Sequence, residues 1–151
     1  MEEKQRPKVG VGVMIFRATK GVPQVLLGKR NDDAKKASSD LHGEGTWTMP
    51  GGKLDFQETL VDGAYREVLE ETNIKIDKEK IKVISVADEI VRDNHYVTVG
   101  FLCENFDGEA KMMEPEEITE WRWYDLNNLP EKVYPPSAKM IKAYLGNKIY
   151  N

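Results

Sequence analysis

Apolar residues recur at every second position over 9–16, where valines alternate with Gly10 and Gly12. That period of two predicts a strand with Val9, Val11, Val13 and Ile15 on one face. The glycines fall on the other face and leave room for a close neighbour. The turn-forming "KGVP" leads into "QVLLGKR", so the two runs read as a hairpin. Polar, turn-rich residues fill 31–45, a long loop of the kind that is often functional in compact domains. "TWTMP" is short and extended, and Pro50 stops it. From about residue 57 to 72 the period becomes helical. "KVISVADEIV" and "HYVTVGFLCE" read as strands joined by a polar turn. "EWRWYDL" is a last strand in which Trp121 and Trp123 share a core-facing side. "PPSAKMIKAYL" opens a C-terminal helix through its prolines. No repeat or internal boundary appears. The expectation is one α+β domain over 1–151 with an α/β/α layering.

The helix over 57–72 is unusual in where it puts charge. On a wheel of about 100° per residue, Leu60, Val61, Ala64, Tyr65 and Val68 form one broad apolar arc. Glu67 lies at the edge of this arc and Glu71 inside it, with Glu70 beside Glu67. A helix that merely displays acids to water would place them opposite the arc. The three glutamates are three and four positions apart, where like charges repel by about a few tenths of a kcal/mol when exposed, and more when partly buried. Arg66 can satisfy one acid, Glu70 or Asp62 by spacing, but not all. A hard divalent cation with oxygen ligands resolves the conflict, and Mg²⁺ is the natural choice. Gly51 and Gly52 would give the backbone a path closed to other residues and bring a carbonyl to the metal. Asn73 ends the helix, since asparagine tolerates a left-handed cap.

Composition narrows the picture without deciding it. The chain has 151 residues, 40% hydrophobic and 32% charged, which suits one folded domain with a real core. A net charge of −4 argues against a general nucleic-acid polymer binder. It leaves open a small phosphorylated ligand, because a bound cation reverses the local field. The single cysteine, Cys103, permits no disulfide within the chain and reads as a buried strand residue. No apolar run reaches the ~18 residues needed to span a membrane. The polar "MEEKQRPK" carries no signal-peptide core. A cytoplasmic protein without a membrane partner is expected.

The spacing beyond Gly52 is specific. Five residues lead to Glu58, and seven more to Arg66-Glu67, followed by Val68, Glu70-Glu71, Asn73 and Ile74. This resembles the Nudix box, G-x5-E-x7-R-E-U-x-E-E-x-G-U with U aliphatic. It departs only at Asn73, where the family has glycine; the change keeps the capping role and touches no ligand. The likeness extends through "VGVGVMIF", "VLLGKR", "WTMPGGKLDFQET", "HYVTV" and "MEPEEITEWRWYDLNNLP", covering about 9–145. These segments resemble the small MutT-like nucleotide pyrophosphohydrolases, nearest to the group that sanitises oxidised or thiopurine nucleotides. The resemblance implies the Nudix fold, with a mixed sheet between helices. It implies Mg²⁺, with Mn²⁺ as a substitute, held by Glu67, Glu70, Glu71 and the Gly51 carbonyl. Arg66, with Glu58, would orient a box glutamate, and one of the box glutamates would act as general base. Lys53 and Arg30 are candidates for phosphate contact. Thr48, Thr98, Tyr134, Pro135, Pro136 and Ser137 fall where relatives hold the base, with Tyr134 available to stack on a purine. Those relatives have an aromatic pair where this chain has "VYPPS". His95 is a further candidate for lining the pocket, although a lone strand histidine is more often structural. A homodimer is implied by analogy only.

The expected reaction is hydrolysis of a nucleoside triphosphate to a monophosphate and pyrophosphate. ADP-ribose or another nucleoside-diphosphate conjugate is the alternative, and a pterin triphosphate or prenyl diphosphate stays open. The box begins after only a hairpin and a loop, which favours the triphosphate type. A reading from another class is a nucleotide-binding module without catalysis. Such modules lose box glutamates, and this chain keeps them.

Overall fold

The computed structural model describes residues 3–37, 39 and 41–150. β1 (Lys8–Thr19) and β2 (Val22–Arg30) form the expected hairpin, with Phe16 opposite Val25 and Thr19 opposite Val22. Lys20 and Gly21 both have positive φ, 52° and 78°, the two-residue turn whose twist matches that of its strands. β1 serves two sets of neighbours. Its first half runs parallel to β7 (Asn94–Cys103), from Lys8 opposite Tyr96 to Ile15 opposite Cys103. The same half pairs antiparallel with the short β4 (Gly51–Lys53). β6 (Lys82–Val91) lies beyond β7, while β3 (Trp47–Thr48) and β9 (Ile118–Asp125) pair with β2. The result is a seven-stranded mixed sheet ordered β3-β2-β1-β7-β6, with β4 on β1 and β9 on β2.

Helices cover both faces. α2 (Leu60–Thr72) sets Ala64 and Val68 against Val11, Val13, Ile15, Val99 and Phe101. α3 (Pro135–Gly146) sets Met140 and Ile141 against Met14, Leu27 and Leu102. Each fully buried aliphatic contributes about 1.5–3 kcal/mol over its exposed state. β1 therefore feeds two cores, Val11, Val13 and Ile15 to one and Met14 to the other, while Val9, expected on the same face, is exposed. Gly12 fits this: a Cβ there would lie 2.6 Å from the Met140 methyl. Cys103 is buried in the first core, and burial pushes its thiol up to about 11. Trp121 and Trp123 pack half-buried against the same core, with Arg122 between them exposed. No helix of the described residues is long and apolar enough to cross a membrane.

Four local expectations need correction. The helix starts at Leu60 rather than near 57, because Gln57 is left-handed at φ 66° and Thr59 caps the first turn by accepting from the Asp62 N–H at 3.1 Å. The loop 31–45 contains α1 (Ala34–Ala37), one turn whose Ala37 is buried. Gly51 and Gly52 lie in a strand, and neither has a positive φ. A two-stranded sheet, β5 (Lys75–Ile76) with β8 (Phe106–Asp107), has too short a pattern to be seen in sequence. Asn73 does cap α2 in the left-handed conformation, φ 64°, its N–H donating to the Leu69 carbonyl.

Candidate active site

α2 carries two environments along its length. From the middle of the helix, Arg66 reaches back to Glu58, just before the Thr59 cap, through both arms: Nε to Oε2 at 2.7 Å and Nη2 to Oε1 at 2.9 Å. Bidentate pairs of this kind are strong and directional. Nη2 also donates to the Lys53 carbonyl at 3.0 Å, which ties the helix to β4. Nη1 reaches Glu67 Oε1 at 2.8 Å and Glu70 Oε2 at 3.3 Å, and Nε lies 3.4 Å from Asp55. Arg66 is thus shared among four carboxylates, with Glu58 its main partner. Asp62, expected as an alternative partner by spacing, pairs instead with Lys78 at 3.3 Å. The guanidinium, helped by the Asp55 N–H, lowers the Glu58 carboxyl to about 2.

Toward the end of the helix the balance fails. Glu71 is 9% exposed, and its Oε1 accepts from the Gly51 N–H at 3.0 Å. Burial pushes its carboxyl well above the usual range, and neighbouring Glu67 pushes the same way. Burial also raises Glu67, against the opposing pull of Arg66. Glu70 stands more open, its side chain 54% exposed.

The two glycines shape the floor by close approach. A Cβ on Gly51 would sit 2.2 Å from the Val11 carbonyl oxygen, so only glycine lets β4 lie this tightly on β1. A Cβ on Gly52 would sit 2.5 Å from the Glu67 carboxylate. The space against Glu67 is open because Gly52 has no side chain.

A cavity of about 410 Å³ opens above this floor. Gly51, Lys53, Glu67, Glu70 and Glu71 line one end; Arg30, Thr48, Thr98, Tyr134, Pro136 and Ser137 line the rest. Arg66 and Glu58 do not line it and support it through α2. His95 is not brought to the site. It is exposed, opposite Ile90 on the sheet, and strand alternation turns Tyr96 and Thr98 into the cavity instead. Pro135 is also outside the lining. Thr48 and Ser137 reach the cavity with their hydroxyls engaged: Thr48 Oγ1 donates to the Met49 carbonyl at 2.9 Å, and Ser137 Oγ accepts from the Met49 N–H at 2.9 Å. Arg30, expected at a phosphate, is 9% exposed and donates to the Gly43 and Ala37 carbonyls, each at 3.0 Å. Sequence reading missed Glu114 and Glu117, which line the acidic end from the connection before β9. Burial first, then Glu117, Glu67 and Glu70, raise the Glu114 carboxyl. The acid-rich "MEPEE" was the only signal for them. Tyr96 and Met140 were also missed, since their periodicity marks them only as core.

The model of the NUDIX domain matches residues 6–144. The chain belongs to the NUDIX family. It is 32% identical over 128 residues to an NAD-capped RNA hydrolase, NudC, of Photorhabdus laumondii, a match that covers 84% of this chain and 47% of that protein. It is 31% identical over 141 residues to an ADP-ribose pyrophosphatase of Methanocaldococcus jannaschii, covering 92% of this chain and 73% of that one. The chain thus spans about half the length of the NudC relative. Among solved structures, a MutT NUDIX hydrolase from Burkholderia pseudomallei superposes with a TM-score of 0.78 at 27% identity, over 92% of this chain and 98% of that one. The mixed sheet between helices is the Nudix fold, and by family the chain is a Nudix pyrophosphohydrolase.

The Nudix donor set suits a hard divalent cation. It offers carboxylates and a backbone carbonyl, and Glu67 and Glu71 are desolvated with Arg66 already shared among four acids. Among the described residues, no three metal-ligating side chains already converge on a point. Arg66 draws Glu67 and Glu70 toward itself, so a cation would compete with it for them.

Proposed function

We propose that this Nudix chain hydrolyses a phosphoanhydride bond of a nucleoside triphosphate, releasing a monophosphate and pyrophosphate, with Mg²⁺ or Mn²⁺ required. One observation carries this reading: buried Glu71 and part-buried Glu67, both with raised carboxyls, face a nucleotide-sized cavity at its acidic end. Glu67, Glu70, Glu71 and the Gly51 carbonyl would hold the cation, with Glu114 within reach of the same end. A bound divalent cation supplies charge neutralisation of the phosphates and acidifies water. The chain's own residues do the positioning. Arg66, fixed by Glu58, holds the Glu67 carboxylate in orientation. Glu71 is held by the Gly51 N–H. A box glutamate takes the proton of the attacking water, and Lys53 at the mouth meets the outer phosphates. The organic moiety lies along Leu41, Tyr134, Pro136 and Met140.

A second reading has its own support. The relatives named as an ADP-ribose pyrophosphatase and an NAD-capped RNA hydrolase point to a nucleoside-diphosphate conjugate, free or at an RNA end. The test is a panel of canonical and oxidised nucleoside triphosphates, ADP-ribose, NADH, 5′-triphosphate RNA and prenyl diphosphates with Mg²⁺. E70Q/E71Q serves as the blank. Triphosphate turnover that the blank lacks supports the first reading. ADP-ribose or NADH leading the panel sinks it in favour of the second. Nucleotide binding without any turnover rejects catalysis.

A further inference from the structure

Arg30 closes β2 against the loop 31–45, and among the described residues its two side-chain hydrogen bonds go to carbonyls of that loop. Nε donates to the Gly43 carbonyl and Nη2 to the Ala37 carbonyl, both at 3.0 Å. The guanidinium stands over the Tyr134 ring, 4.7 Å from its centroid. The Tyr134 hydroxyl meets Ser39 Oγ at 2.9 Å. Gly43 packs so near this ring that a Cβ on it would lie 2.6 Å from two ring carbons. Two elements far apart in sequence, the end of β2 and the start of α3, therefore grip one loop from both sides. Ala37, Ser39 and Leu41 of that loop line the cavity beside Tyr134.

We propose that Arg30 and Tyr134 form a positioning clamp that sets the cavity wall facing the organic moiety of the nucleotide, and that Arg30 does not contact phosphate. The identity of the ligand rests on the nucleotide reading above. Turning Nη2 to a phosphate would take the guanidinium donor from the buried Ala37 carbonyl, and an unpaired buried acceptor is costly; the Gly43 carbonyl would keep the Thr46 N–H and hydroxyl. The arrangement needs a planar fork that serves two carbonyls and stacks on a ring together. Guanidinium supplies that geometry and ammonium does not.

Charge and shape are separable here by substitution. R30K keeps the positive charge and loses the fork; R30Q loses both. Binding of α,β-methylene-ATP, whose bridge cannot be cleaved, of the product AMP and of inorganic pyrophosphate would be measured by calorimetry with Mg²⁺ present. Steady-state kinetics would run alongside. The clamp predicts that R30K and R30Q weaken both nucleotides alike, by about tenfold for a lost charged hydrogen bond. Pyrophosphate affinity stays near wild type, and the kinetic loss falls on KM rather than kcat. Y134F, which removes the hydroxyl that meets Ser39 and keeps the ring, gives a smaller loss of the same kind. Nucleotide affinity retained in R30K, with pyrophosphate affinity lost in R30Q, would assign Arg30 to phosphate and overturn the clamp. Amide exchange gives a readout independent of any ligand. R30K and Y134F should speed exchange over 41–45 and leave 60–72 unchanged. If the wild type binds no nucleotide, the ligand assignment fails, while unaltered exchange over 41–45 would separately sink the clamp.

Discussion

Glu58 and Glu71 belong to one motif and meet opposite surroundings. Glu58 is part-buried, takes both arms of Arg66 and an N–H from Asp55, and is held down to about 2. Glu71 is buried, accepts the Gly51 N–H, lies beside Glu67, and is pushed well above the usual range. The same side chain is at one place an anchor and at the other an uncompensated charge. A fold optimised only for stability would neutralise the second as it does the first. That it does not marks the end of α2 as the reactive part and the Glu58–Arg66 pair as the mount.

The largest test of this contrast is Glu71→Gln. The amide can still accept from the Gly51 N–H, so the fold keeps its bond and loses a desolvated charge. Turnover should fall on the order of a thousandfold, the scale of several kcal/mol of lost cation-assisted stabilisation. The melting temperature without divalent cation should hold or rise. A marked fall in stability would place Glu71 with Glu58 as an anchor.

Neighbouring glycines should split the same way. Gly51→Ala drives a Cβ into the Val11 backbone, which cannot yield cheaply, so stability should drop by about 3 kcal/mol. Gly52→Ala meets only the tip of Glu67, which can swing aside. Its stability should barely change, while kcat falls about ten- to a hundredfold through the displaced carboxylate. Urea melts and kinetics on the two variants check this; equal destabilisation would mean Glu67 is as rigid as backbone.

The two glutamates should also leave opposite marks on stability against pH. Glu58 has a lowered carboxyl, so its contribution is present above the ordinary glutamate pKa of about 4.3. It is lost as pH falls toward about 2. Glu71 has a raised carboxyl. Its stabilising neutral form is fully present below about 4.3 and is lost as pH rises through its folded value. The windows do not overlap. Thermal melts across pH in a chelator should therefore show one loss at the acid end, reduced in Glu58→Gln, and one on the higher-pH side, reduced most in Glu71→Gln and shared by the raised Glu67 and Glu114. Mg²⁺ should flatten only the second, by binding the folded state. A Mg²⁺ effect confined to the acid end would break the contrast.

This contrast was partly legible in the chain. Helix periodicity alone put Glu71 among Ala64 and Val68, because an angle on a wheel depends on nothing distant. Arg66's choice of Glu58 over Asp62 was not legible by helix spacing, since Glu58 lies before the cap and reaches Arg66 through a turn set by left-handed Gln57. The glycines were read as conformational, yet they serve close packing of β4 on β1, a contact between segments far apart in sequence. The cavity's far wall was least legible. Arg30 ends a strand like many surface cations, and only the fold of 31–45 turns its fork onto two carbonyls. Glu114 and Glu117 looked like loop acids because nothing local says that 108–117 returns to α2.

The smallest effect concerns the one position that departs from the family pattern. Asn73 sits at φ 64° with its N–H on the Leu69 carbonyl, and its neighbour Ile74 is fully buried. A non-glycine residue there carries a steric cost that asparagine partly relieves. Asn73→Gly removes that cost but gains unfolded-chain entropy, so the two terms oppose. The net should be a stabilisation below about 1 kcal/mol, read as a small rise in melting temperature. Turnover and Mg²⁺ dependence should not move, because Asn73 caps the helix without lining the cavity. A change in kcat without a change in stability would show that the cap tunes the angle of Glu71, two residues earlier, and that mount and reactive end are coupled after all.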